Sequence, residues 1–192
     1  MEKKKFCNVV LLMMLLFCSV FGTRRTDLRR MSDFITAFIE VDYYNFDSRT
    51  ITMDELLNFG IWHNYMNNFN LIKHERNGSY DSAISAKDVE AAVRKYFAIP
   101  VKHQNINYEG SVRPYRNGKY YFNAADGVPS RAEVQEVSRK GNVTTMRGKI
   151  IFNNTDDEDE ILGEFVATAK PHKWKGKNTW AILSLKSTLY EN

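Results

Sequence analysis

Arg116-Asn117-Gly118-Lys119, running into Tyr120-Tyr121-Phe122, is the strongest turn signal in the chain. Asn-Gly accepts the positive φ angles that a two-residue hairpin turn demands. The turn predicts a strand near 108–115 joined to a second over Lys119–Ala125. Beyond it the apolar period is two, which predicts further strands at about 131–139, 143–153, 161–170 and 178–190. In the last, Trp180 and Ile182 share one face, and Ala181, Leu183, Leu185 and Leu189 share the other. Apolar residues on both faces mark a strand that is central or covered on both sides. Short connections throughout imply an antiparallel meander.

Ahead of the turn the period is helical. Leu28, Met31, Phe34, Ile35, Phe38, Ile39 and Tyr43 recur at gaps of three and four, predicting a helix over 26–44. Arg24, Arg25, Arg29 and Arg30 crowd its start, the end at which the helix dipole disfavours positive charge. Contact with a membrane surface would account for them if the preceding segment keeps this end near a bilayer. Thr52-Met53-Asp54-Glu55 is a capping-box pattern ahead of Leu56, Leu57, Phe59, Ile61, Trp62, Tyr65, Met66 and Phe69. That second helix is apolar on most sides, so it belongs at the centre. Gly60 in its interior costs about 1 kcal/mol against alanine, which a close helix or sheet contact would explain. Asn77-Gly78 predicts a short hairpin within 70–85. Ser85-Ala86-Lys87-Asp88 opens a third helix carrying Val89, Ala92, Val93, Tyr96 and Phe97, which Pro100 ends.

The expected class is α+β: N-terminal helices packed on a curved antiparallel meander sheet. The order of elements over residues 26–190 resembles the nuclear-transport-factor-2-like fold, with the cystatin-like arrangement its near neighbour. The chain is also similar in style to uncharacterised secreted bacterial proteins. Such folds serve as enzymes, ligand binders or assembly modules, so the resemblance implies an architecture and no functional residues.

Residues 1–22 read as an export segment. Lys3, Lys4 and Lys5 precede the apolar run Phe6–Gly22, the order of a secretory signal. Three fates fit: cleavage after Gly22, lipid attachment at Cys18, or retention as an anchor. Each places the remainder, a single domain over 23–192, outside the cytoplasm, secreted or attached to the cell envelope. Both cysteines, Cys7 and Cys18, lie in this segment, which argues against a disulfide scaffold, a thiolate nucleophile and a cysteine zinc site. The whole chain carries 27 basic and 23 acidic residues; without residues 1–22 the count is 24 against 22, a net of +2, too small to suggest nucleic-acid binding.

Five consecutive acids, Asp156, Asp157, Glu158, Asp159 and Glu160, form a weak calcium candidate; the central glycine of an EF-hand loop is missing, and a solvated hairpin loop is the simpler reading. The next loop, Lys170–Asn178, is basic and carries Trp174. Consecutive hairpin loops lie at opposite ends of a sheet, so the domain should have an acidic tip and a basic tip. No HExxH, GxSxG, P-loop or GxGxxG occurs. His63, on the apolar second helix, is the candidate acid–base residue, with Asp126 or Glu164 as partner from the sheet. Trp62, Tyr121 and Trp174 are candidate ligand contacts, chosen by residue type.

These features favour a non-catalytic binding module for a protein or a small ligand, without a cofactor. The alternatives are an enzyme using His63 in a cavity between helices and sheet, and a structural module forming a homodimer through an exposed sheet face. The mass of the mature product distinguishes the fates of the leader: a chain beginning at Thr23 means cleavage, an acylated Cys18 lipid anchoring, and an intact Met1 retention.

Overall fold

The computed structural model describes residues 25–125, 130–152 and 159–190. Residues 1–22, read above as an export segment and including Cys18, lie outside them, as do Arg24, Asp126, Asp156, Asp157 and Glu158. The described chain is mixed α+β with antiparallel sheets.

Helix α1 covers residues 25–39, shorter than the periodicity predicts. Asp42 takes a φ of 62°, and the Tyr43 amide donates to the Phe38 carbonyl while that of Asp42 donates to Ile39. This paired closure is a Schellman motif with aspartate in the position glycine usually holds. It ends the helix yet returns Tyr43 to the core, 6% exposed. Strand β1 (Phe46–Asp47) follows.

Helix α2 (Met53–Asn67) starts with the expected capping box: Thr52 Oγ1 accepts from the Glu55 amide, and Glu55 Oε2 accepts from the Thr52 amide. After hairpin β2 (Lys73–Asn77) and β3 (Tyr80–Ser85), helix α3 (Ala86–Phe97) is capped by Ser85 and ends at Ala98, φ 56°, ahead of Pro100.

The single strand expected at 108–115 is instead β4 (Ile106–Tyr108), β5 (Ser111–Arg113) and β6 (Tyr115–Arg116). Glu109 and Gly110, with φ of 50° and 74°, make a second tight turn, and Pro114, without an amide proton, interrupts the ladder. Asn117 and Gly118 make the predicted turn with φ of 51° and 74° into β7 (Lys119–Phe122). The meander is β8 (Ser130–Lys140), β9 (Val143–Phe152), β10 (Glu160–Trp174) and β11 (Lys177–Leu189).

These strands do not form one curved sheet. The long sheet has the order β1-β11-β10-β9-β8; a separate sheet has β2-β3-β7-β6, and β4-β5 stand as a pair. The reason lies in α2. Its Leu56 and Phe59 join α1, α3 and the long sheet in one core, while Leu57 and Ile61 join Ile84, Tyr120 and Phe122 in another. A helix apolar all round needs cover on both sides, and the second sheet supplies it. At Gly60 α3 packs closely on α2: a Cβ there would lie 2.8 Å from both Cγ1 and the carbonyl oxygen of Val89.

Bulges bend the long sheet at Gln135, Leu162 and Leu183. The last reverses the side-chain parity of β11, so Ile182 and Leu185 both reach the core despite odd spacing. Edge strand β8 is partly covered: Ser32 Oγ and Thr36 Oγ1 of α1 accept the amides of Val134 and Ala132, each at 2.9 Å. Among the described residues no helix is long and apolar enough to cross a membrane.

Gly60→Ala is predicted to lower stability although alanine is the better helix former. Overpacking against a backbone carbonyl costs about 1–3 kcal/mol, more than the roughly 1 kcal/mol of propensity gained. Urea unfolding should show a lower midpoint, relieved only in part by Val89→Ala, because the carbonyl stays in place.

Candidate functional site

The end of α1, the middle of α2 and the β4–β5 hairpin enclose a cleft of 260 Å³, with Glu40, Tyr43, Asn58, Trp62, Tyr108 and Arg113 in its walls. Each wall has a local cause. The Schellman closure turns Tyr43 inward, where its hydroxyl donates to the Glu55 carbonyl at 2.6 Å and accepts from Asn58 Nδ2 at 3.1 Å. Asp54, in the first turn of α2, accepts from Gln104 Nε2 at 2.6 Å and from the Asn107 amide at 3.0 Å. This ties down the start of β4, and the turn at Glu109-Gly110 carries the chain back to Arg113. The Tyr108 ring stacks on Tyr43 with centroids 6.3 Å apart.

Two polar groups in this cleft find no partner among the described residues. Asn58 is 3% exposed and its Oδ1 has no hydrogen-bond donor. Arg113 is 9% exposed and its Nη1 has no acceptor. Its guanidinium lies 5.6 Å from the centre of the Trp62 ring. Among the described residues no carboxylate pairs with it. Burial pushes the guanidinium below its ordinary value, with Tyr43 and Glu109 acting the other way; arginine nonetheless keeps its proton in proteins. An orphaned buried polar atom costs about 1–3 kcal/mol and a cation more, so both groups call for a partner. An acceptor for Arg113 and a donor for Asn58 would satisfy them, beside the aromatic faces of Trp62 and Tyr108.

His63 lies outside the cleft lining. It is 3% exposed, stacked on Phe59 with centroids 5.5 Å apart and edge-on to Tyr96 at 4.6 Å. Its Nδ1 stands 3.8 Å from Glu40 Oε1, a separation that would suit an ion pair. The ring is neutral all the same, because burial, with a lesser effect of the Lys95 charge, pushes its pKa from 6.5 to about 3. Burial also raises the Glu40 carboxyl, against a hydrogen bond from Asn67. Glu164 does not meet His63; it lines a shallow groove with Glu136, Arg147 and Lys186.

Of the three aromatic candidates, Trp62 is in the cleft wall. Tyr121 is 4% exposed and its hydroxyl donates to Glu75 at 3.0 Å, so it presents no open surface. Trp174 is half-buried at the end of the β10–β11 hairpin, with Lys175 Nζ 5.6 Å from its ring centre. In the acidic run, Asp159 is engaged by Arg131 through two hydrogen bonds, at 2.6 and 3.2 Å. Among the described residues no cluster of three or more His, Cys, Asp or Glu is placed to hold a metal.

Arg113, Asn58 and Tyr43 escape a reading by residue type and motif. Asn58 carries a signal, being a polar residue at a buried position of a helix apolar all round. Arg113 carries almost none, since it falls within the stretch that reads as one strand. Compared with known protein families, with characterised proteins and with solved structures, the chain matches none.

A buried neutral histidine gives the domain a defined pH response. Unfolded, the ring takes a proton below about pH 6.5; folded, it does so only near 3. The contribution of His63 is therefore intact above 6.5 and is lost as pH falls toward 3. Glu40 acts oppositely: its raised carboxyl contributes stability below 4.5 that is lost as pH rises through the folded value. Urea unfolding at about pH 7.5 and pH 5 should show His63→Phe losing less stability on acidification than the parent; equal losses would place the response elsewhere.

Proposed function

We propose that the chain is an exported, non-catalytic binding module that holds a small carboxylate-bearing ligand in the cleft at Arg113. The observation that carries this reading is the buried guanidinium that no carboxylate among the described residues pairs with, set against Trp62 and beside the open Asn58 oxygen. A planar cation in a low-dielectric wall favours a carboxylate through paired, charge-assisted hydrogen bonds. Asn58 Oδ1 adds a requirement for an N–H or O–H donor on the same ligand. The volume suits a metabolite or the end of a peptide better than a drug-sized molecule, for which sites run about 300–1,000 Å³. Location outside the cytoplasm rests on the export segment. The helix, helix, hairpin, helix, strand order supports reading the fold as nuclear-transport-factor-2-like or cystatin-like, with the β2-β3-β7-β6 sheet set apart as a variation.

The binding reading is favoured over catalysis because His63, the candidate base, is buried among aromatic rings behind the cleft wall, reaching Glu40 but not lining the cleft itself.

A thermal-shift screen of small carboxylates, including amino acids and short peptides, tests the proposal. A ligand at a hundredfold excess over its Kd should add about 2.7 kcal/mol of stability. Arg113→Met should abolish that gain while leaving the free chain at least as stable as the parent, because an unpaired buried charge is removed. A screen without any stabilising carboxylate, or an unchanged response in Arg113→Met, would refute it.

A further inference from the structure

The arginines at the start of α1 do not stand alone in space. Arg30 Nη2 donates to the Asn178 carbonyl at 3.1 Å, which sets the first turns of α1 against the base of the β10–β11 turn. That hairpin continues over Lys170–Trp174 beyond the last β9 pairing, at Ala169, so its end projects from the sheet. Lys175 and Gly176, φ 47° and 78°, form the turn. Arg25, Arg29 and Arg30 of the helix and Lys173, Lys175 and Lys177 of the hairpin are all exposed. Two loci separated by some 140 residues of sequence thus form one basic end, with Asp27 and Asp33 the acids on that part of the helix. Between them lies a groove of 190 Å³ with Arg30 and Lys95 beside Trp180 and Tyr96.

The preceding chain limits where this end can be. Gly22 closes the apolar run Phe6–Gly22, and only Thr23 and Arg24 separate it from the first described residue, Arg25. Three residue steps reach at most about 11 Å. Retained in a membrane, that run would keep the start of α1 at headgroup depth, and a lipid on Cys18, seven residue steps from Arg25, would keep it within about 25 Å. Helices disfavour cations at their N-terminus, but an anionic bilayer attracts each with about 1 kcal/mol. Trp174 between lysines is suited to the interface, where an aromatic body meets a polar boundary.

We infer that this end is a docking face for an anionic lipid bilayer, made by the start of α1 together with the β10–β11 hairpin. Glu40, in the wall of the cleft, lies at the other end of α1, about 22 Å away at the helical rise. Docking at the basic end turns the cleft away from the bilayer.

Hydrogen exchange of the full chain on vesicles tests this. On phosphatidylcholine vesicles containing roughly a third phosphatidylglycerol, amides of 25–31 and 170–178 should exchange severalfold more slowly than on pure phosphatidylcholine. Lys173→Gln with Lys175→Gln should remove most of that difference, at roughly fivefold weaker attraction per lysine, with β9 amides unchanged as the check on folding. If β9 is perturbed, Arg25→Gln with Arg29→Gln, both on exposed positions, reads the same outcome. Equal exchange on the two vesicles, or equal protection by an oligonucleotide without vesicles, would overturn the inference.

Discussion

The structure depends on the contact of Gly60 with Val89. A helix as apolar as α2 cannot lie on a surface, and it cannot be buried deeply unless a second helix comes close. Removing one Cβ allows α3 to approach, so the two helices together separate two cores. Each core then needs its own sheet. Separate sheets and two hydrophobic cores are linked consequences of one close approach between helices.

The cleft follows from the same arrangement at one end. Where α1 stops, the chain needs a residue in the left-handed region, and Asp42 supplies it. The turn delivers Tyr43 onto Asn58, which uses the amide's donor and leaves its acceptor open. On the opposite wall, Pro114 and the Glu109-Gly110 turn hold β4 and β5 as a separate pair, in which Arg113 is buried opposite Ile106 and no carboxylate among the described residues pairs with it. Natural cores leave few polar atoms unsatisfied. Two in one cleft, with complementary demands, are what the proposed ligand would satisfy.

Much of the fold is legible locally. Thr52 with Glu55, Ser85 with Asp88, and Asn117-Gly118 act through bonds within four residues, so their spacing alone reveals them. Strand partnership is decided by distant residues: β3 meets β7 by pairing Ala83 with Tyr121, and neither segment announces the other. The parity switch at Leu183 is equally hidden, since it arises where β11 bulges against β10 and the Leu183 carbonyl accepts from the Ser48 amide. At the site, Trp62 is suggested by its type and its helix, whereas Arg113 is obscured by two hairpins that read as one strand. The burial of His63 follows from its apolar helix; its nearness to Glu40 does not, because that depends on how α1 ends.

The hydroxyls of Ser32 and Thr36 occupy the part of β8 where another chain would add as a further strand. Beyond Val134, the strand carries Glu136, Arg139 and Lys140, which resist a flat apolar partner. Recruitment onto this border from its buried end would require lifting the first helix and exposing Phe34, Phe38 and their neighbours. Fibrillar growth by strand addition there is thereby tied to partial unfolding, which makes the helix a guard against polymerisation as well as a structural cover.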